Sequence, residues 1–271
     1  MSFHFHHFDD FIHSFDLWLF PKLWSANIRG SAAIIEDLVK RVSSTALERL
    51  TLRMVAHESS TDLDDAVSFI AAIDFSSKRW ENSLAHVSLH ASGFSAPLPL
   101  RRKTVKSLVH LPEVQHLEIS GWRVGLCIVD DLCSQARTEP SKLQTLLLPK
   151  ESPVLFSRLK SIVDACPLLV SLRCRIEMTS VDLTNPIDPS SLTPHNLEFL
   201  CVGDAEPMLD SNDLLRVAIY LDSLFPYLKV IEKFNRDLQS FSQWAYIQRL
   251  ITMLQTARSV ERNRLLENLG L

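Results

Sequence analysis

The feature that most constrains how this chain folds is an aliphatic triplet that returns along it. Its spacing is an aliphatic residue, two others, an aliphatic, one other, an aliphatic. The instances are Leu47-Leu50-Leu52, Leu84-Val87-Leu89, Val114-Leu117-Ile119, Leu143-Leu146-Leu148, Leu169-Leu172-Cys174 and Leu197-Leu200-Val202, with weaker members at Leu23-Ala26-Ile28 and Leu228-Ile231. Their first positions lie 24, 37, 30, 29, 26, 28 and 31 residues apart. Leu, Ile and Val make up roughly 28% of the chain, so about six such triplets are expected by chance, and the weight falls on their spacing and context.

The context is helical. Between triplets, apolar residues recur at helical spacing: Ile34, Ile35, Leu38, Val39 and Val42; Leu63, Ala66, Val67, Ile70 and Ala71; Leu155, Leu159, Ile162, Val163 and Cys166; Leu214, Ala218 and Leu221. Segments 101–111 and 124–137 read as two shorter helices, and the Pro- and Ser-rich stretch 178–196 as a loop with one turn of helix. Ser152 before Pro153 fits an N-cap with a first-turn proline, and Ser211 before Asn212 and Asp213 offers a second cap. Leu supplies 43 of the 271 residues and Gly only 6, a bias toward a repeat scaffold and away from phosphate-cradling glycine loops.

A strand-helix unit of about 29 residues cannot bury its own apolar face, whereas stacked units can. The expected fold is therefore α/β: a curved parallel sheet on the inside, helices on the outside, and a C-terminal capping helix. Residues 1–20 form an N-terminal segment or cap, 21–234 an irregular repeat solenoid, and 235–271 the helical cap. In that cap Trp244, Ile247, Ile251 and Leu254 share one face, and Arg249, Gln255, Arg258 and Glu261 the other. No linker divides the chain, which reads as one domain.

Within each block the first, fourth and sixth residues point to the core, and the third and fifth to the concave surface. Those concave positions are Ser25 and Asn27, Arg49 and Thr51, His86 and Ser88, His116 and Glu118, Thr145 and Leu147, Ser171 and Arg173, and Phe199 and Cys201. Apolar Leu147, Phe199 and Cys201 near Arg173 suit a protein or peptide ligand, because interfaces concentrate energy in apolar anchors within a polar surround.

Other functions find less support. Lys and Arg total 28 against 32 Asp and Glu, net −4, which provides no field of one sign for a nucleic-acid backbone or an anionic membrane. No apolar run is long enough to span a bilayer, and Met1 to Phe20 lacks the basic start of a secretory leader, so the expectation is a cytoplasmic or nuclear protein. Nucleophile-elbow, Walker-type and zinc-hydrolase motifs are absent, and Ser95 lacks the second elbow glycine, so neither catalysis nor a cofactor is expected. His86, His90, His116 and Glu118 on neighbouring strands leave a metal-dependent hydrolase as the alternative, although spacing fixes no third ligand. His4, His6, His7, Asp9 and Asp10 make a denser cluster at a frayed terminus.

Asp62, Asp64 and Asp65 follow Ser59, Ser60 and Thr61 and open a helix, where carboxylates complement the macrodipole. Arg101, Arg102, Lys103 and Lys106 form the one basic run, read as a solvated outer helix because stacking aromatics are missing. Cys127, Cys133, Cys166, Cys174 and Cys201 sit among apolar neighbours without a Cys-x-x-Cys pair and read as reduced core thiols.

Ala46-Leu-Glu-Arg-Leu-Thr-Leu52, Val114-Gln-His-Leu-Glu-Ile119 and Leu197-Glu-Phe-Leu-Cys-Val202 resemble the leucine-rich-repeat family over residues 20–234, without the family's Asn or Cys three residues past the last Leu. Phe20-Pro-Lys-Leu23 and Phe225-Pro-Tyr-Leu228 resemble in style the irregular repeats of fungal F-box-type proteins. That likeness implies a receptor presenting substrates to a cullin ubiquitin ligase, with ligase subunits as further partners. An F-box is not found ahead of the repeats, so a truncated, non-functional receptor copy is a third reading.

Overall fold

The computed structural model describes residues 2–5, 22–56, 62–125, 127–136, 140–178, 193–203, 209–234 and 242–268. Nine strands form one parallel sheet: β1 (Ser2–Phe5), β2 (Ser25–Gly30), β3 (Arg49–Val55), β4 (His86–Ser92), β6 (His116–Ser120), β8 (Thr145–Leu147), β10 (Ser171–Arg173), β12 (Phe199–Val202) and β13 (Val230–Lys233). Their order across the sheet is their order along the chain. The short pairs β5 (Leu98–Pro99) with β7 (Trp122–Arg123), and β9 (Pro153–Leu155) with β11 (Arg175–Glu177), form two small parallel sheets. Helices α1 (Ala32–Arg41), α2 (Asp62–Arg79), α3 (Arg102–Val109), α4 (Cys127–Ala136), α5 (Leu159–Ala165) and α6 (Ser211–Leu224) lie between the strands, and α7 (Gln243–Asn268) follows them. The class is thus α/β, with an open parallel sheet and a neighbouring layer of helices packed in chain order from α1 to α5.

Each aliphatic block supplies one strand. Leu47, Leu50 and Leu52 are 0%, 2% and 0% exposed, and the same positions of every other block are buried. The residues between them are half-buried or exposed, as a two-residue period requires. In the last block Lys233 takes the sixth place and is buried, which is why that block was weak in sequence.

A second device repeats with each strand. Just before it, two consecutive amides converge on one carbonyl of the preceding unit: Glu48 and Arg49 on Trp24, Ala85 and His86 on Glu48, Gln115 and His116 on Ala85, Gln144 and Thr145 on Gln115. The series continues with Val170 and Ser171 on Gln144, Glu198 and Phe199 on Val170, and Lys229 and Val230 on Glu198, all at 2.8 to 3.3 Å. Every strand therefore starts at the same level, so equivalent side chains fall in straight rows.

Some local expectations change. Ser2–Phe5, expected as part of a terminal segment, is a strand that pairs with β2. Its Ser-Phe-His-Phe alternation was the available signal. Pro153 starts β9 rather than a helix, and Ser152 Oγ accepts the Val124 amide at 2.8 Å. The helix begins only after a 3-10 turn at Phe156–Arg158. Asp210, not Ser211, caps α6, accepting from the Asp213 amide at 2.9 Å. Cys201 lies half-buried on the open sheet face, whereas Cys166 and Cys174 are core thiols that burial pushes up to about 12. Arg102 is no bystander: it pairs with the buried Asp131 at 2.9 Å and ties α3 to α4. The expected loop at 178–196 lies largely outside the described residues.

The capping helix also does more than present a polar side. Trp244, Ile247 and Ile251 are buried as expected, and Leu254 is half-buried. Gln255 and Arg258, expected on the outer side, instead reach back to the repeats: Gln255 donates to the Leu228 carbonyl at 3.1 Å, and the still exposed Arg258 pairs with Asp222 of α6. The Gln248 amide accepts from Ile231 N–H and donates to Lys229 O, standing in for a further strand on the open edge of β13. Replacing it with Ala leaves those edge groups to water, and Gln248→Ala should lower unfolding free energy by about 1 kcal/mol in a urea titration.

Gly121 has φ +74°, and a Cβ there would lie 1.9 Å from the Ala91 carbonyl oxygen. The turn out of β6 thus requires glycine. Gly121→Ala should cost more than about 2 kcal/mol in the same measurement.

Candidate protein-binding face

The helix-free side of the main sheet carries the residues expected on the concave surface, in two rows. One runs Ser25, Arg49, His86, His116, Thr145, Ser171, Phe199 and Val230. The other runs Asn27, Thr51, Ser88, Glu118, Leu147, Arg173, Cys201 and Glu232. The structure thus brings Arg49, Thr51, His86, Ser88, His116, Glu118, Thr145, Leu147, Ser171, Arg173, Phe199 and Cys201 onto one surface.

Its chemistry changes along the rows. At the β2–β3 end Arg29, Arg49 and Arg53 are exposed, with Arg29 directly across from Arg53. The Arg49 guanidinium lies 5.4 Å from the centre of the Trp24 ring, a cation–π contact.

In the middle, the His86 and His116 rings sit 5.7 Å apart. His90 Nδ1 lies 2.6 Å from Ser120 Oγ. The Glu118 carboxylate accepts from Arg173 Nη2 at 3.1 Å and lies 3.9 Å from His90 Nε2. Burial lowers the pKa of all three histidines below the usual imidazole value, most simply because the charged ring loses water. Arg49 and then His116 push His86 the same way, while Glu118 opposes the shift at His90 and His116.

At the far end a shallow hollow of about 360 Å³ is lined by Leu147, Ser171, Arg173, Phe199, Cys201, Val230 and Glu232. Phe199 is 44% exposed despite its size. Arg173 lies between this hollow and a second one of about 240 Å³ that includes Ser120, Pro149, Lys150 and Phe234. Its guanidinium stands 5.8 Å from the centre of the Phe234 ring, and its buried Nε–H has no partner among the described residues. Val230, Glu232 and Phe234 were missed in sequence because the eighth block lacks its last aliphatic; extending the 31-residue offset from Phe199 would have found Val230.

The metal alternative gains nothing from this geometry. Glu118 is held by Arg173, and among the described residues no three His, Cys, Asp or Glu side chains are placed to hold a metal ion. Of the N-terminal cluster, His4 lies in β1 and His6, His7, Asp9 and Asp10 fall outside the described residues. Ser95 is exposed between β4 and β5. No described helix is long and apolar enough to cross a membrane. No protein-family model matches the chain, and a search of curated proteins finds no match.

The depressed histidines tie stability to pH. Between the ordinary imidazole value near 6.5 and the lower folded values, the unfolded chain binds more protons, so stability falls as pH drops through that window. Melting temperature should decline from pH 7.5 to 5.5, and decline less in a His86→Gln, His90→Gln, His116→Gln variant. Equal slopes for the two proteins would refute the assignment.

Proposed function

We propose that the chain is a leucine-rich-repeat solenoid that acts without catalysis, binding a protein segment along the helix-free face of its sheet. The aliphatic blocks, the strand order and the repeated amide pairs support the solenoid reading, since each unit makes the same contacts with its neighbours. The observation that carries the binding reading is the exposed Phe199 beside a hollow walled by Leu147 and Val230, with Arg173 at its margin. A large aromatic held on a sheet face next to an apolar recess and one cation is how interface anchors are built. The likeness to F-box-type repeats extends the reading to a substrate receptor of a ubiquitin ligase.

A quantitative pulldown with the whole chain, comparing it with an Arg173→Glu, Phe199→Asp variant of equal melting temperature, tests this. Proteins retained by the wild type should fall at least about tenfold on the variant, as loss of a central anchor implies. Recovery of the same proteins in equal amounts would overturn the proposal. Ligase subunits held by both forms would support the receptor role, because they would dock elsewhere.

A further inference from the structure

The open face is bipolar. Arg29 and Arg53 face each other on β2 and β3, Arg49 lies four residues back along β3 on the same face, and among the described residues none of the three has an ion-paired carboxylate. Arg29 and Arg53 are directly opposed across neighbouring strands, an arrangement of like charges that is unfavourable without an anion to bridge it. The cluster stands on a chain of net charge −4, so it is a local feature and not a general basic character. At the other end of the same face Arg173 is already met by Glu118, and the exposed group is Phe199 over its hollow.

We propose that the segment bound here is extended and bipartite: an acidic stretch over Arg29, Arg49 and Arg53, and an aromatic or aliphatic anchor in the hollow beside Phe199. The proposal rests on the protein-binding reading of this face and deepens it. Five strand spacings separate β3 from β12, about 24 Å at ~4.8 Å each. An extended peptide covers that in about seven residues at ~3.3 Å per residue. Arg29 on β2 lies one spacing further, so the acids should lie about seven to nine positions from the anchor.

The probe is a displayed library of random peptides about twelve residues long, enough to span both ends. It is selected on the whole chain, then on an Arg29→Glu, Arg53→Glu variant and on Phe199→Asp, each shown by circular dichroism to melt like the wild type. Wild-type selection should enrich Asp and Glu at the predicted distance from an aromatic or aliphatic residue. The double arginine variant should lose the acidic enrichment, keep the anchor, and bind a wild-type-selected peptide about tenfold more weakly, less so at high salt. Anchored peptides without acids would overturn this proposal and leave the protein-binding reading standing. No enrichment, or enrichment indifferent to Phe199→Asp, would overturn both. A mixed-sequence single-stranded oligonucleotide that displaces the selected peptides and depends on Arg53 would reassign the cluster to nucleic acid and overturn the acidic-segment proposal.

Discussion

The rest of the structure depends on the convergence of two consecutive backbone amides on a single carbonyl at the entry to each main-sheet strand from β3 to β13. That bond pair uses no side chain and so tolerates the variation from Trp24 to Ala85 to Val170 to Glu198 at the accepting position. It sets each strand level with the last. The aliphatic residues can then stack in buried rows, and the intervening residues in open ones. If one strand slipped by a single residue, Leu and Ile would be delivered to water and Arg and His to the core.

Alignment of this kind turns modest side chains into a surface. His86 and His116 are 30 residues apart in sequence, yet their rings lie 5.7 Å apart in a tilted pair; Arg173 reaches Glu118 across 55 residues. No single strand carries a site. The chemistry arises from the rows: arginines at one end, imidazoles with one shared carboxylate in the middle, and an exposed aromatic over a hollow at the other.

The ends of the sheet are managed differently from its middle. At the C-terminal edge, Gln248 and Gln255 use side-chain amides to occupy backbone groups of residues 228–231 that another strand would otherwise pair. Beyond these contacts α7 is exposed, with Met253, Val260 and Leu265 largely uncovered. Glutamine suits the edge because one amide offers both a donor and an acceptor, like the peptide group it replaces.

The aliphatic triplets and the helical spacing between them determined, from sequence alone, that strand and helix alternate, which residues face the core and which fourteen intervening positions share the opposite surface. Burial is dictated locally there, because a two-residue period leaves each side chain only one face to occupy. What only the tertiary structure decided depends on neighbours far along the chain: that Ser2–Phe5 joins the sheet, that Pro153 starts a strand paired with Arg175, and that Gln255 and Arg258 find partners in Leu228 and Asp222. The same holds for Arg102, whose buried partner Asp131 lies 29 residues away, and for Arg173, engaged by Glu118 and Phe234 at once. Polar side chains have no fixed side until a partner is brought within hydrogen-bonding distance, and that distance is set by stacking, not by spacing.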